Sequence, residues 1–255
     1  MRHLFSAEMY KIRHTKLLWV ILGLVVLQTW IQMDGLRSLE KEPVLGQIAI
    51  TRICDASPFL CIWLSAFVGF FIAAEFQNGT IRNALALGKK RSSVYLAKLT
   101  AVFLACIGMV TVTAITATAV CSVLFGFGGM SLREFFQFFL WTYFNQNVYH
   151  LAYAALFTMF AFVSRNVAMT VLLGVGWTIA EMFIIGFLGD YQDGSLAFAR
   201  DILPSLYVAI FYSEEYDAYW YNNAVQIIKG IAASVFFIGA SSIAGISFFG
   251  KNDIK

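Results

Sequence analysis

Glu181 is the strongest chemical signal in the 255 residues, because it is the only acid deep inside any long apolar run. A charge near the centre of a bilayer costs about 2.5–3.5 kcal/mol on insertion scales, so such a group needs a partner or a water-filled cavity. Counted from the short turn Ser164-Arg165-Asn166, Glu181 lies 14 residues beyond Val167, and His150 lies 13 before Val163. At ~1.5 Å per helical residue both sit roughly 20 Å along their helices. Antiparallel neighbours would bring the two to one depth, where a carboxylate–imidazole pair could serve as intramembrane glue or as part of a substrate pathway. Tyr143, Asn147, His150 and Tyr153 extend His150 into a stripe with three- and four-residue steps, and Asn145 and Gln146 lie beside it. Polar groups in lipid turn toward protein or water. The stripe therefore bonds neighbouring helices or lines a pathway.

A second polar stretch, Glu75 to Arg91, lies between two long apolar runs. Asn78-Gly79 is a turn signal, Thr80 can act as N-cap, and Gly88 can close a helix. Ile81, Leu85 and Leu87 give that two-turn helix an apolar face for a membrane surface. Lys89, Lys90 and Arg91 follow at once, a cluster that holds a loop on the cytoplasmic side and meets anionic headgroups. Other chemistry is missing from the chain: there is no GxxxxGK[ST], no HExxH, no GxSxG and no zinc-ligand spacing. Nucleotide hydrolysis, metal-activated water and a serine nucleophile are not signalled. Gly88-Lys89-Lys90-Arg91-Ser92-Ser93 lacks the glycine spacing and the strand of a phosphate loop. The chain reads as a non-enzyme with no metal site and no cofactor of its own.

The elements that must position these residues are membrane helices. The chain is 60% hydrophobic and 13% charged, against about 45–50% and 25% for soluble domains. Six charge-poor runs, Leu17–Met33, Ala56–Ala74, Leu99–Phe127, Phe135–Val163, Val167–Leu188 and Gly230–Gly250, each approach or exceed the roughly 20 residues that span a bilayer. Leu99–Phe127 and Phe135–Val163 are too long for a straight span and must tilt or emerge. Ser131-Leu132-Arg133-Glu134 has the form of a capping box, which starts a helix at the outer interface. With six spans and both ends together, twelve of the eighteen Lys and Arg fall on the side of the ends. Both termini are therefore expected in the cytoplasm. Eleven of the fifteen acids fall outside and give that face a negative field.

Before the first span, Ala7 to Lys16 forms a basic amphipathic helix expected on the inner leaflet. No small-residue cleavage site follows, so it is read as a mature segment rather than a leader. Between the fifth and sixth spans, Ile202 to Phe211 is apolar but too short to cross, and reads as a re-entrant or interfacial helix. Tyr212, Tyr216, Tyr219, Trp220 and Tyr221 follow as an aromatic belt. Cys54, Cys61, Cys106 and Cys121 form no CxxC and read as small apolar filler. The net charge of +3, spread over juxtamembrane clusters, implies no nucleic acid. The fold class is all-α integral membrane, one domain over residues 1–255. Small residues at Ala101, Ala105, Gly108, Thr111, Ala114 and Thr118, and at Ser241 and Gly245, allow close helix approach.

The run Glu75-x3-Gly79-Thr80-Ile81-Arg82-Asn83-x-Leu85-x2-Gly88-x2-Arg91-x6-Lys98, placed between the second and third spans, resembles the signature of ABC-2 type ABC transporter permeases. Glu8-x-Tyr10-Lys11-x-Arg13 is similar to the opening of the same group. The resemblance implies a coupling helix that docks on a separate ATP-binding subunit, with Glu75, Gly79, Thr80, Ile81, Arg82, Asn83 and Arg91 as the contact or positioning residues. It further implies two ATP-binding subunits carrying ATP and Mg, a second permease as homodimer or heterodimer, and surrounding membrane lipid. The compact form resembles bacterial plasma-membrane subunits that expel peptide antibiotics, of the lantibiotic-immunity and bacitracin-resistance types. The residues alone also admit a proton-coupled carrier built on Glu181 and His150, or a non-transporting scaffold or sensor. An inverted repeat, which would favour the carrier, is absent from the sequence.

Overall fold

The computed structural model describes residues 2–39, 44–188, 202–203 and 224–251. Among these residues every regular element is helical. Helices α1 (Arg2–His14) and α2 (Lys16–Leu39) meet at Thr15, whose amide and hydroxyl both donate to Lys11 O, at 2.9 and 2.7 Å. After a 3-10 turn at Ala49–Arg52, α3 (Ile53–Val68) passes through a π-helical segment, Gly69–Ala73, into α4 (Ala74–Gln77). Then come α5 (Thr80–Ala86), α6 (Arg91–Phe125), α7 (Leu132–Ser164), α8 (Val167–Leu188) and α9 (Ala224–Lys251). Six helical stretches among the described residues are long and apolar enough to cross a membrane: Lys16–Gly35, Pro58–Gln77, Arg91–Phe125, Leu132–Ser164, Val167–Leu188 and Ile227–Lys251. They coincide with the six apolar runs, and the chain is a multi-pass membrane protein.

At 35 and 33 residues, α6 and α7 are roughly 50 Å long, well beyond a hydrocarbon core of about 30 Å. Helices of that length tilt across a bilayer or emerge from it. α7 is the hub: it packs most heavily on α9 and also on α6, α8 and α3. Close approach has specific causes. A Cβ on Gly245 would fall 2.4 Å from the Tyr95 hydroxyl, so the bare α9 backbone at this position admits the Tyr95 ring of α6. A Cβ on Gly174 would fall 2.5 Å from Ser65 Cβ, which sets the contact of α8 with α3. Ala101, Ala105 and Ala114 are buried as their spacing on α6 suggested, whereas a Cβ on Gly108 would meet nothing within 4 Å.

The two ends of the bundle are built differently. At one, here the basal end, Arg91 at the start of α6 donates from Nη1 to Phe249 O at 2.9 Å and Gly250 O at 3.2 Å, closing the end of α9. Phe162 packs edge-on to Phe76 at 5.4 Å and to Phe249 at 4.8 Å, with Tyr95 at 4.6 Å, so four helix ends share one aromatic cluster. α1 and the last turn of α9 both lie at this end. At the distal end, Gly46 N and Gln47 N donate to Gly126 O and Phe127 O at 3.0 and 2.9 Å, and Gln47 Oε1 accepts from Met130 N at 2.8 Å. The chain then tucks Ile50 against Ala114 and Phe138. Sequence pattern does not reveal this tucked segment, which is too short for a periodicity of its own. The capping box is formed as the sequence indicated, with Glu134 N donating to Ser131 Oγ and Ser131 N to Glu134 Oε2. The expected interfacial helix Ile202–Phe211, apart from Ile202 and Leu203, and the aromatic belt after it lie outside the described residues. Cys61, Cys106 and Cys121 are buried, and the Cys54 side chain also lies outside that set.

Candidate functional site

The basal surface begins with a shift in helical register. In the π segment the amide of Ala74 bonds back to Gly69 O, five residues earlier, where the helix passes close to Val167 and Val171 of α8. Such a bulge inserts a residue and rotates the side chains beyond it about the helix axis. Phe71 and Glu75 both end up buried beneath α1. Lys98 of α6 is 1% exposed, and its ammonium donates to Glu8 at 2.8 Å and to Glu75 Oε2 at 2.7 Å. Lys11 pairs with the other Glu75 oxygen, Oε1. Both ammonium groups also lie near the Phe71 ring, Lys11 Nζ 4.8 Å and Lys98 Nζ 5.1 Å from its centre, within range of a cation–π contact. Two acids and two bases from α1, α4 and α6 thus neutralise one another in a single node. Burial, with the Lys98 ammonium nearby, pushes Lys11 down to about 8, against an upward pull from Glu8.

α5 hangs beside this node. Its N-cap is Gly79 at φ +72°, not Thr80, which is the first helical residue and makes no capping bond. The turn from Asn78 needs a left-handed residue, which glycine supplies without strain. Gly88, at φ +77°, donates to Leu85 O at 2.9 Å and ends the helix where expected. The apolar face is narrower than the pattern suggested: Ile81 is buried and Leu85 half-buried, but Leu87 is 79% exposed. Between α5, α1 and the start of α6 lies a cavity of about 460 Å³. Thr80, Ile81 and Ala84 line it from α5, and Glu8, Lys11, Glu75 and Lys98 also line it.

The seven residues expected as a docking set therefore divide. Thr80, Arg82 and Asn83 are exposed on α5, while Glu75 and Ile81 face inward, Gly79 forms the turn and Arg91 binds the end of α9. Lys89, Lys90 and Arg13 extend the exposed basic surface. Sequence reasoning assigns no role to Glu8, Lys11 or Lys98 individually. The available signal was a lysine directly against an apolar run, a position that demands a buried partner.

The polar stripe of α7 is turned into the bundle. Asn145, Gln146, Asn147, His150 and Tyr153 are buried and Tyr143 half-buried. Most of the bonds run along α7 itself: Asn145 Nδ2 to Trp141 O at 2.9 Å, Asn147 Nδ2 to Tyr143 O at 2.8 Å, and His150 Nδ1 with Gln146 O at 2.7 Å. Tyr143 Oη meets Thr111 Oγ1 of α6 at 2.7 Å. Oδ1 of Asn145 and of Asn147 and Oγ of Ser234 on α9 are buried with no hydrogen-bond partner among the described residues. Glu181 is 2% exposed on α8, which packs on α7, so it and His150 are both interior groups of adjoining helices.

Among the described residues no group of His, Cys, Asp and Glu is arranged to hold a metal ion. Comparison with known families finds a match to a model described as ABC-2 family transporter protein, over residues 4–181. The match begins in α1, includes the whole node and α5, and ends at Glu181. No curated protein matches the chain.

Proposed function

Taking as premise that the chain belongs to the ABC-2 family of transporter proteins, we propose that it is the permease subunit of an ATP-driven exporter. Members of this family are membrane transport components that work with an ATP-binding subunit. The observation that carries the reading furthest is α5: a short helix held by one buried isoleucine, with Thr80, Arg82 and Asn83 turned outward, inside the matched region. In this reading the basal end is cytoplasmic and the membrane is the bacterial plasma membrane. Two ATP-binding subunits, carrying ATP and Mg, close on one another and press on α5. A second permease, identical or different, completes the pathway, and the spans exchange accessibility. The substrate is an amphipathic molecule drawn from the membrane, a peptide antibiotic of the lantibiotic or bacitracin kind; the acidic outer loops suit a cationic one. Tyr143, Asn147, His150, Tyr153 and Glu181 are the polar lining or pairing groups of the pathway.

Gentle purification of the chain from its native membrane, with its companions identified by mass spectrometry, tests the reading. A stoichiometric companion with a Walker A motif is expected. Transport by the chain alone, driven by a proton gradient and lost in Glu181→Gln, would replace it with the carrier that the burial of Glu181 and His150 also supports.

A further inference from the structure

We propose that the cavity under α5 is the travel space of the coupling stroke, and that Glu8, Lys11, Glu75 and Lys98 are the positioning residues that make its floor rigid. The proposal rests on the permease reading and adds where the movement goes.

Three observations carry it. First, α5 is attached as an arm: it packs chiefly on α4, through the turn at Asn78 and Gly79, and Ile81 is its one fully buried side chain. Second, its inner face is only partly packed: Ile81 sits in the core with Leu85 against it, while Thr80 and Ala84 border open space. That space is a cleft of about 460 Å³, partly open to the outside and large enough for on the order of ten waters. Ala84 of α5, Ala97 of α6 and Ala7 of α1 all line it, three small side chains where larger ones would narrow it. Third, the far side is a buried network of ion pairs that ties three helices together. Lys98 is fixed by carboxylates from two other helices at 2.7 and 2.8 Å, and Lys11 holds Glu75 from the other side. A partner pressing on Thr80, Arg82 and Asn83 moves the Ala84 face of α5 into the cleft. The node then stops the arm and passes the displacement to α1 and α6 together. The π segment directly before α4 is the compliant part of the same lever, since such bulges sit where helices adjust.

Filling a useless void stabilises a protein, whereas filling a working one locks it. Ala84→Phe and Ala97→Phe are therefore the informative changes, made in the intact complex with its ATP-binding companion. The expected result is normal assembly, an unchanged or raised melting temperature, continued ATP hydrolysis and transport reduced at least about tenfold. Glu8→Gln, which loosens the floor without filling the space, should lower transport per ATP hydrolysed, and Glu8→Asp should restore part of it. A merely structural role would instead lower transport and assembly in parallel. Should Ala84→Phe fail to fold, spin labels at Ser6 on α1 and Ala86 on α5 give the same information: their separation shortens when the complex binds ATP.

Normal transport by both fillers, or an unchanged label separation in a transporting complex, overturns the proposal while leaving the permease reading intact. A phospholipid that co-purifies with the wild type and is lost from Ala84→Phe also overturns it, and makes the cavity a lipid site. Absence of any ATP-binding companion removes the permease reading and this proposal together.

Discussion

The basal node and the α7 stripe solve the same problem, polar groups kept from water, in opposite ways. In the node, every charge finds its partner on another helix: Lys98 on α6 binds Glu8 on α1 and Glu75 on α4. In the stripe, most neutral amides bond to their own helix four residues back, leaving Oδ1 of Asn145 and Asn147 without a partner among the described residues. Bonds between helices fix their relative position, while bonds within a helix leave it free to slide. The contrast assigns the fixed connection to the end where a partner would push. The adjustable surface lies at mid-depth, where a pathway would open. An acceptor left over in the interior costs about 1–3 kcal/mol when unmade, a cost a pathway group recovers when water or substrate reaches it.

Breaking the node should cost most. Lys98→Met leaves Glu8 without its ammonium partner and the buried Glu75 with Lys11 alone, and should destabilise the purified protein by about 3–5 kcal/mol, whereas Asn147→Leu in the stripe should cost less than about 1 kcal/mol. Thermal unfolding of the two variants in one detergent compares them directly, and equal losses would end the distinction. Next in size, Gly245→Leu drives a side chain into Tyr95 and should cost about 1–3 kcal/mol in the same assay, by overpacking α6 against α9. Within the stripe, Glu181→Gln and His150→Ala should couple by at least about 0.5 kcal/mol in a double-mutant cycle, and full additivity would separate the two residues.

The smallest effect is with pH. Lys11 titrates at about 8 in the folded protein, below the ordinary lysine value of 10.5, so the folded state binds fewer protons than the unfolded one between those values. Stability contributed by this site therefore rises as pH increases from about 8 toward 10.5, and the penalty is fully present below 8. Melting temperatures of wild type minus Lys11→Gln, compared at about pH 7.5 and about pH 9.5, should shift in favour of the wild type at the higher pH. A shift of opposite sign would mean that the pair with Glu75 outweighs burial.

The spans were legible because six apolar runs of sufficient length leave little choice, and the start of α7 because Ser131 and Glu134 have the spacing of reciprocal caps. Gly245 was legible as a small residue, though not that Tyr95 fills the space. The node was not legible as a node. Glu8, Glu75 and Lys98 are far apart in sequence, and their meeting depends on the π segment at Gly69–Ala73, which no periodicity announces. Thr80 has a side chain that favours the cap, but a left-handed glycine one residue earlier takes the position. Leu87 continues the apolar pattern, yet the helix ends at Ala86 and Leu87 turns outward.

The central claim is that α5 delivers force from an ATP-binding partner into this bundle. Arg82 is exposed on α5, outside the node and the core, so its reversal leaves the fold in place. Transport and ATP hydrolysis by the reconstituted complex, wild type against Arg82→Glu, measure the claim together. A lever at α5 predicts a variant that inserts normally and hydrolyses ATP while transport per ATP falls by about tenfold or more. Transport per ATP equal to that of the wild type would contradict it.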